Sequence, residues 1–467
     1  MKQFALLLKD KDFLRKTMAI TIPIALQNLL NNVLNMIDTL MIGRLGETAV
    51  AAVGLANKVF FVFCLLMFGI SSGASVLASQ YWGKGEPIKI RKVLHISLLI
   101  GLGASILFMM AGLLFPEIVM RIFTPEQETI AAGATYLVII ALSYPLTAVT
   151  MVYVAILRSM NYVKLPVIIT LISIAVNGTL NYGLIFGKLG LPEMGIAGAA
   201  LATLIARIVE CGALLIIVYM HKAGDNALGD FVHGKENREG DQKTPIFTKG
   251  FVMKYLITAT PVIMNEFMWG LGVTMYSLVY GRMGNAVTAA ITIESTVEQG
   301  ITVFFFGICS AASVILGNVL GANQLEKAEE YAKKFITLQI CLSVIGSLLT
   351  ILIREPIIAW FAQSDEVAGY ISQTLIIFAL FLPMRMINTL LIIAIFRSGG
   401  DTKAALFLDA TSVWLIGIPL AVLGGLVLKL PLYIVFTMIN MEQIYKFVLA
   451  IWRYRQKKWL RNIVASD

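Results

Sequence analysis

Charged residues are scarce in this chain of 467 residues, since Asp, Glu, Lys and Arg make up only 14% of it. A soluble domain usually carries about 25% charged residues. Hydrophobic residues account for 58% of the sequence, and the mean hydropathy is +0.82. This composition excludes an ordinary soluble protein and predicts a membrane protein.

The residue types that build catalytic and metal centres are equally sparse. The chain has three histidines and four cysteines, and every cysteine lies in an apolar run without metal-ligand spacing. The glycine-rich stretch GRLGETA at Gly43 lacks the Lys-Ser/Thr ending of a phosphate-binding loop. We therefore expect no cofactor, no metal site, no use of ATP and no enzyme activity.

Long apolar runs dominate what remains. A helix that crosses a bilayer needs about 20 mostly apolar residues. Twelve such runs are present, at 17–42, 53–79, 93–115, 135–157, 165–186, 196–219, 255–280, 287–316, 335–353, 371–395, 404–427 and 432–451. The sequence predicts an all-α membrane protein with twelve transmembrane helices.

Basic residues alternate along the connections between these runs. The connections after even-numbered segments carry two to six Lys or Arg each, and those after odd-numbered segments carry one. The positive-inside rule then predicts a multi-pass protein of the inner (plasma) membrane with both termini in the cytoplasm. The pattern also accounts for the net charge of +9 without a nucleic-acid partner.

The two halves of the chain repeat each other. One constant offset, which carries Gly43 onto Gly281, aligns Gly43–Gly83 with Gly281–Gly321 without a gap, and 14 of the 41 positions are identical. Each half contains six predicted segments, an even number, so both halves begin on the same side of the membrane. The repeat is therefore parallel, with two lobes around a central cavity as in rocking transporters.

The repeat and one polar stretch define the expected domains. Residues 1–16 are predicted as a cytoplasmic tail, 17–220 as the N-lobe and 221–250 as a cytoplasmic linker. Residues 251–452 are predicted as the C-lobe, and 453–467 as a basic cytoplasmic tail.

The first predicted helix carries a polar stripe. Asn28, Asn31, Asn35 and Asp38 recur at spacings of three and four residues, which places them on one helical face. An aspartate at the centre of a membrane helix costs about 2.5–3.5 kcal/mol on insertion scales. The stripe is therefore expected to face a cavity or another helix, and Asp38 is a candidate cation-binding group.

Several motifs together make the chain similar to multidrug and toxic compound extrusion (MATE) transporters. The first and seventh segments open with paired P-x3-(Q/N) motifs at Pro23 and Pro261. Further matches are D-x2-MIGRLG from Asp38, NGTLNYGLIFG from Asn177, LPEMGIAGAALAT from Leu191 and RSGGDT from Arg397. The resemblance implies a proton- or sodium-driven antiporter that expels cationic, amphipathic compounds.

The resemblance also implies a coupling cluster in the first half. The helix 1 aspartate of the family works with polar residues that match Asn177, Asn181 and Thr203 here. Some relatives have a second aspartate where Asn181 stands, so the coupling ion stays open between H⁺ and Na⁺. The alternative is that Asp38 pairs with Lys58 of the second segment, whose side chain is long enough to reach outward.

Acidic residues in the second half suggest where a substrate's positive charge binds. Glu266, Glu294 and Glu298 outnumber the one cation, Arg385, that lies in these segments. Together with Trp269, and with Asn31 and Asn35 of the polar stripe, they are the predicted substrate-cavity residues. The alternative is a structural Glu–Arg network that ties helices 7, 8 and 10 together.

Three other functions compete with the antiporter. A lipid-linked precursor flippase of the same broad superfamily is the main one, although a strongly cationic cavity would suit its phosphates better. A passive channel would show no coupled counterflow, and a membrane enzyme would need a catalytic constellation. We expect a monomer whose partners are small cationic molecules and the lipid bilayer.

Overall fold

The computed structural model describes residues 10–220, 248–362 and 364–465, together with Leu228 and Phe231. Over these residues the chain forms twelve long helical segments, α1 to α12, and no strand. Those of the first half are α1 (Lys11–Gly43), α2 (Glu47–Lys84), α3 (Pro87–Leu114), α4a (Gln127–Ala141) with α4b (Tyr144–Ser159), α5 (Lys164–Phe186) and α6 (Gly195–Met220). Those of the second half are α7 (Lys249–Met283), α8 (Asn285–Gly321), α9 (Leu325–Phe361), α10 (Asp365–Phe396), α11 (Thr402–Val427) and α12 (Leu432–Arg455).

Ten of these helices are long and apolar enough to cross a membrane, and the pair α4a and α4b adds an eleventh span across a 49° bend. The break between the two helices lies at Leu142 and Ser143, shortly before Pro145, the second residue of α4b. Helix α1 is long enough to span but falls short in apolar composition, because its stripe of asparagines lowers its hydropathy. Within the described residues, the predicted all-α membrane fold is confirmed.

The ends of the helices follow from local chemistry. Asp10 accepts a hydrogen bond from the Phe13 backbone N–H at 2.9 Å and so caps the start of α1. Gly46 and Gly284 precede α2 and α8 with φ of 105° and 125°, which favours glycine at both positions. The repeat offset carries Gly46 onto Gly284, so the repeat extends to the turn that starts the second helix of each half.

Two compact units make up the chain, one of Met1–Ala25 with Met264–Asp467 and the other of Leu26–Ile263. The same repeat offset carries Ala25 onto Ile263, so the two unit boundaries occupy equivalent places in the halves. Each unit thus contains the first part of the other half's first helix. The predicted lobes, 17–220 and 251–452, differ from the units in these two segments.

Close contacts hold each exchanged segment in its unit. A Cβ atom on Gly69 of α2 would lie 2.7 Å from the Ile263 Cα of α7. At the repeat-related place, a Cβ atom on Gly307 of α8 would lie 3.0 Å from the Thr21 carbonyl oxygen of α1. Small residues at these crossings let the helix backbones approach closely.

Both predicted tails contain ordered structure. Residues 11–16 are the first turns of α1, where Phe13 is buried. After α12, Trp459 is buried, and Arg461 donates hydrogen bonds to the carbonyl oxygens of Gly399 and Gly400 at 2.9 and 2.7 Å. Of the predicted linker 221–250, residues 221–227, 229–230 and 232–247 lie outside the described residues.

Helices α10 and α11 are not α-helical throughout. Leu390–Phe396, Ser412–Gly417 and Leu423–Val427 have the wider π-helical hydrogen-bond pattern. Such turns are rare in proteins and often occur near functional sites. The sequence analysis did not predict them.

Candidate functional site

In the first half, a chain of hydrogen bonds joins three helices. Asn181 of α5 donates to Asp38 Oδ1 of α1 at 2.7 Å, and also to Asn177 Oδ1 at 3.1 Å. Asn177 in turn donates to Thr203 Oγ1 of α6 at 3.2 Å. The structure therefore brings all four predicted coupling residues together in one cluster.

Burial differs along this chain of side chains. Asn177 and Asn181 are buried, whereas Asp38 is only half-buried. The Asn181 Oδ1 atom is buried and has no hydrogen-bond partner among the described residues. A carboxylate oxygen and an unpaired amide oxygen thus lie in one cluster. Both are ligand atoms that a hard cation prefers, and the carboxylate can also bind a proton.

The alternative partner of Asp38 does not reach it. Lys58 is exposed on α2, and in the described part of the chain no ion pair joins it to Asp38. Asn31 and Asn35 lie on the same helix as Asp38, and both are exposed. Their role as substrate-cavity residues stays a prediction.

A second network involves an earlier part of α1 and was not predicted. Gln27 receives a hydrogen bond from Arg158 at 2.5 Å and donates one to Thr170 at 2.7 Å. Thr170 donates to the buried carboxylate of Glu210, which also pairs with Arg207 at 2.6 Å. Polar residues of α1, α4b, α5 and α6 are thereby linked inside one unit.

In the second half, two of the three predicted acidic residues are in ion pairs. Glu266 of α7 pairs with Arg397, which directly follows α10, at 2.7 Å, and both side chains are buried. Glu298 of α8 pairs with Arg385 of α10 through both carboxylate oxygens, at 2.6 and 2.9 Å. These pairs have the geometry of the structural Glu–Arg network that the sequence left open.

Glu294 differs from its two neighbours. It is 3% exposed, and its Oε1 atom has no hydrogen-bond partner among the described residues. A buried carboxylate without a partner is costly in a membrane helix. Of the predicted acidic set, Glu294 is therefore the residue best placed to accept a positive charge from elsewhere. Trp269, the predicted aromatic contact, is 41% exposed on α7.

Three further ionisable residues of the second half are largely buried, although sequence reasoning gave them no role. Asp409 of α11 accepts hydrogen bonds from Lys446 of α12 at 2.5 Å and from Asn265 of α7 at 3.1 Å. Lys446 lies within the last predicted segment, 432–451, and its side chain is 8% exposed within α12. Glu442 is also buried, and Tyr276 donates to it at 2.5 Å.

These contacts are repeated in both halves, although the repeat offset becomes larger by a single position within the fourth helix of each half. The Gln27–Thr170 bond corresponds to the Asn265–Asp409 bond. Likewise Arg158 corresponds to Arg397, and each donates to a residue of the first helix in its half. The two halves thus form equivalent hydrogen bonds, while the charges of the residues that form them differ.

Known proteins resemble the chain over nearly its whole length. The transporter YisQ of Bacillus subtilis, which is uncharacterized, is 24% identical over 98% of this chain and 97% of its own. The probable multidrug resistance protein NorM of Thermotoga maritima is 24% identical over 97% of this chain and 94% of its own.

Solved structures share the fold. The MATE transporter VcmN of Vibrio cholerae in its bent form matches with a TM-score of 0.83 at 18% identity, over 96% of this chain and 97% of that one. A MOP superfamily transporter of Pyrococcus furiosus matches with a TM-score of 0.80 at 18% identity, over 95% of each chain.

A family model supplies the assignment. The model, described as MatE, matches residues 23–183 and again residues 261–423. The two matches begin at Pro23 and Pro261, which the repeat offset carries onto each other. Together they cover more than half of the chain, and so this protein belongs to the MatE family of multidrug and toxic compound extrusion transporters.

Proposed function

We propose that this transporter is a secondary active antiporter that exports cationic, amphipathic compounds in exchange for protons or sodium. The observation that carries the proposal is the hydrogen-bonded chain from Asp38 through Asn181 and Asn177 to Thr203. It joins three helices of one unit at a half-buried carboxylate, the one acidic residue of the cluster. We further propose that the protein works as a monomer in the inner (plasma) membrane, with both termini in the cytoplasm.

Ion binding at Asp38 would change this cluster directly. A bound proton removes the negative charge that the Asn181 amide now hydrogen-bonds, and a bound sodium ion competes with that amide for the carboxylate oxygens. Either event changes the contacts between α1, α5 and α6. A ligand shifts a conformational equilibrium only by binding one state better than the other, and these contacts supply such a difference.

Negative charge in the second half supports a cationic substrate. The largely buried groups of the second half include six carboxylates, of Glu266, Glu294, Glu298, Asp401, Asp409 and Glu442. The same region has four largely buried cations, of Arg385, Arg397, Lys446 and Arg453, and each of these is paired with one carboxylate. Two of the six carboxylates, Glu294 and Glu442, stay without an ion-pair partner among the described residues, which favours an organic cation over the phosphate groups of a lipid-linked precursor.

The test is coupled exchange in liposomes that contain the purified protein. With an imposed pH or sodium gradient, we expect the wild type to drive efflux of a cationic dye and Asp38→Asn to abolish it. Asp12→Asn is the matched control, because Asp12 lies exposed in the first turn of the same helix. Gradient-driven efflux that persists in Asp38→Asn would overturn the proposal, as would a wild type without coupled counterflow.

A further inference from the structure

Glu442 forms a second polar site inside the membrane-spanning part of the chain. It lies on α12, where its side chain is 7% exposed. Tyr276 of α7 donates its hydroxyl to Glu442 Oε2 at 2.5 Å, and the Gln443 amide donates to Oε1 at 2.9 Å. Both partners are neutral. Tyr280 of α7 is a further titratable side chain that faces Glu442, and it is buried as well.

The cations near Glu442 belong to other carboxylates. Lys446 lies one turn further along α12 and pairs with Asp409 of α11 at 2.5 Å. Arg385 faces Glu442 from α10 but pairs with Glu298 through both oxygens. An ionised Glu442 is therefore a buried charge without a counter-ion of its own, which is costly unless a proton or a cation neutralises it.

The backbone of α11 leaves room for the hydrogen-bonded pair of Tyr276 and Glu442. Gly417 ends the π-helical stretch Ser412–Gly417 of α11. A Cβ atom on Gly417 would overlap the Tyr276 hydroxyl oxygen and would lie 2.5 Å from Glu442 Oε2. No side chain larger than hydrogen fits there without displacing the pair, so the site depends on this glycine.

The repeat places Tyr276 where the first half has its coupling aspartate, because the offset of the first helices carries Asp38 of α1 onto Tyr276 of α7. Each of these side chains hydrogen-bonds a polar residue of its own unit, since Asp38 accepts from Asn181 and Tyr276 donates to Glu442. Both halves thus have a carboxylate at this place, although in the second half it belongs to the residue that Tyr276 contacts.

We propose that Glu442 is a second ion-coupling residue, which binds a proton or a monovalent cation in each transport cycle. Tyr276 positions its carboxylate, and the site lies in the second half while Asp38 serves the first. The inference rests on the proposed antiport and adds one ion to its cycle. The bound ion neutralises Glu442, and its release restores the bare carboxylate.

The ion-to-substrate ratio tests this proposal. In liposomes with the membrane potential clamped at zero, the limiting dye gradient is measured against the imposed pH or sodium gradient. One ion fewer per cycle lowers the limiting dye gradient about tenfold for each tenfold ion gradient, since each ion contributes one such factor. We expect this loss in Glu442→Gln and not in the control Glu326→Gln, an exposed residue in the first turn of α9.

A second measurement does not depend on how well Glu442→Gln folds. In an Asp38→Asn background, infrared difference spectra between low and high pH should still contain a carboxyl band. Tyr276→Phe should shift its frequency, because the hydroxyl donor is gone. A carboxyl band whose frequency is unchanged by Tyr276→Phe would overturn the inference. An unchanged ion-to-substrate ratio in Glu442→Gln would overturn it as well.

These measurements distinguish a failure of the proposed role of Asp38 from a failure of the proposed role of Glu442. If Asp38→Asn destroys coupling while Glu442→Gln keeps the wild-type ratio and its carboxyl band, only the inference about Glu442 is wrong. If Glu442→Gln lowers the ratio while Asp38→Asn exchanges like the wild type, the role of Asp38 is wrong and the second site stands.

Discussion

The buried carboxylates of the second half fall into two groups, those with an ion-pair partner and those without one. Glu266, Glu298 and Asp409 each have a basic partner within 2.7 Å, whereas Glu294 and Glu442 have none among the described residues. The paired groups tie helices together, because the loss of one partner leaves the other buried and unneutralised. The unpaired groups are the ones to which our proposals assign a substrate's positive charge or a coupling ion.

Lys446→Met tests the structural part of this division. The change leaves Asp409 largely buried without its cation, and breaking a buried pair in this way costs about 3–5 kcal/mol. We expect a matching fall in the free energy of unfolding, measured by denaturant unfolding of the purified protein in detergent. Asp409→Asn in the same chain should recover most of the loss, since it removes the uncompensated charge.

The control for Lys446→Met is Arg121→Met, which breaks an ion pair with Glu117 whose two side chains are each 60% exposed. Exposed pairs contribute at most about 1 kcal/mol. If the two single variants are equally stable, the Lys446–Asp409 pair has no special structural role.

Sequence patterns revealed only part of the site. The polar stripe ending at Asp38 follows from helical periodicity, while Asn177, Asn181 and Thr203 came from motifs of the family. Arg397 and Lys446 were missed because both lie near the ends of predicted segments, where basic residues usually face the cytoplasm. Their burial depends on carboxylates 131 and 37 positions away, and such distant pairing leaves no local pattern.

At the scale of helices, two glycines control how closely α2 and α8 approach their neighbours. Gly69 and Gly307 occupy the same place in the repeat, and each faces the exchanged segment of the other half's first helix. Interiors packed this closely tolerate little extra volume, and overpacking costs about 1–3 kcal/mol.

Gly69→Ala should therefore destabilise the protein more than the same change elsewhere on α2. Its new methyl group would lie 2.7 Å from backbone at Ile263, whereas a Cβ atom on Gly54 meets nothing within 4 Å. We expect Gly69→Ala to lower the midpoint of thermal unfolding in detergent and Gly54→Ala to leave it nearly unchanged. Equal midpoints would mean that the crossing at Gly69 adjusts freely.

The helices themselves were largely predictable, because a run of about 20 apolar residues has few alternatives in a membrane protein. Their full lengths were not, since α2, α8 and α9 continue through polar residues beyond the apolar run. The π-helical stretches were also missed, because an apolar run has the same composition whether its turns are α-helical or π-helical.

At the scale of the whole molecule, the two halves of the sequence repeat do not have the same boundaries as the two compact units. The segments before Leu26 and before Met264 each belong to the unit formed mainly by the other half. Neither half therefore contains a complete unit, although each contains six of the twelve helical segments in the described chain.

A chain cut in the linker tests this organisation. Residues 1–234 and 235–467 expressed together should yield a complex that exchanges dye across liposomes, and either fragment alone should fail to give a stable, monodisperse protein. The control is a second fragment that starts at residue 264, which lacks the segment belonging to the first half's unit and should not restore exchange. A stable, monodisperse fragment 1–234 on its own would contradict the prediction.

The exchanged segments also bear on the origin of the chain. The contacts of Gly69 with the seventh helix and of Gly307 with the first are equivalent under the repeat. A gene encoding one half would make both contacts with a second copy of its own product, which is the arrangement of a domain-swapped dimer. A protein made of one half alone would thus be an obligate pair of identical subunits, whereas the fused chain can have different residues at equivalent places, such as Asp38 and Tyr276.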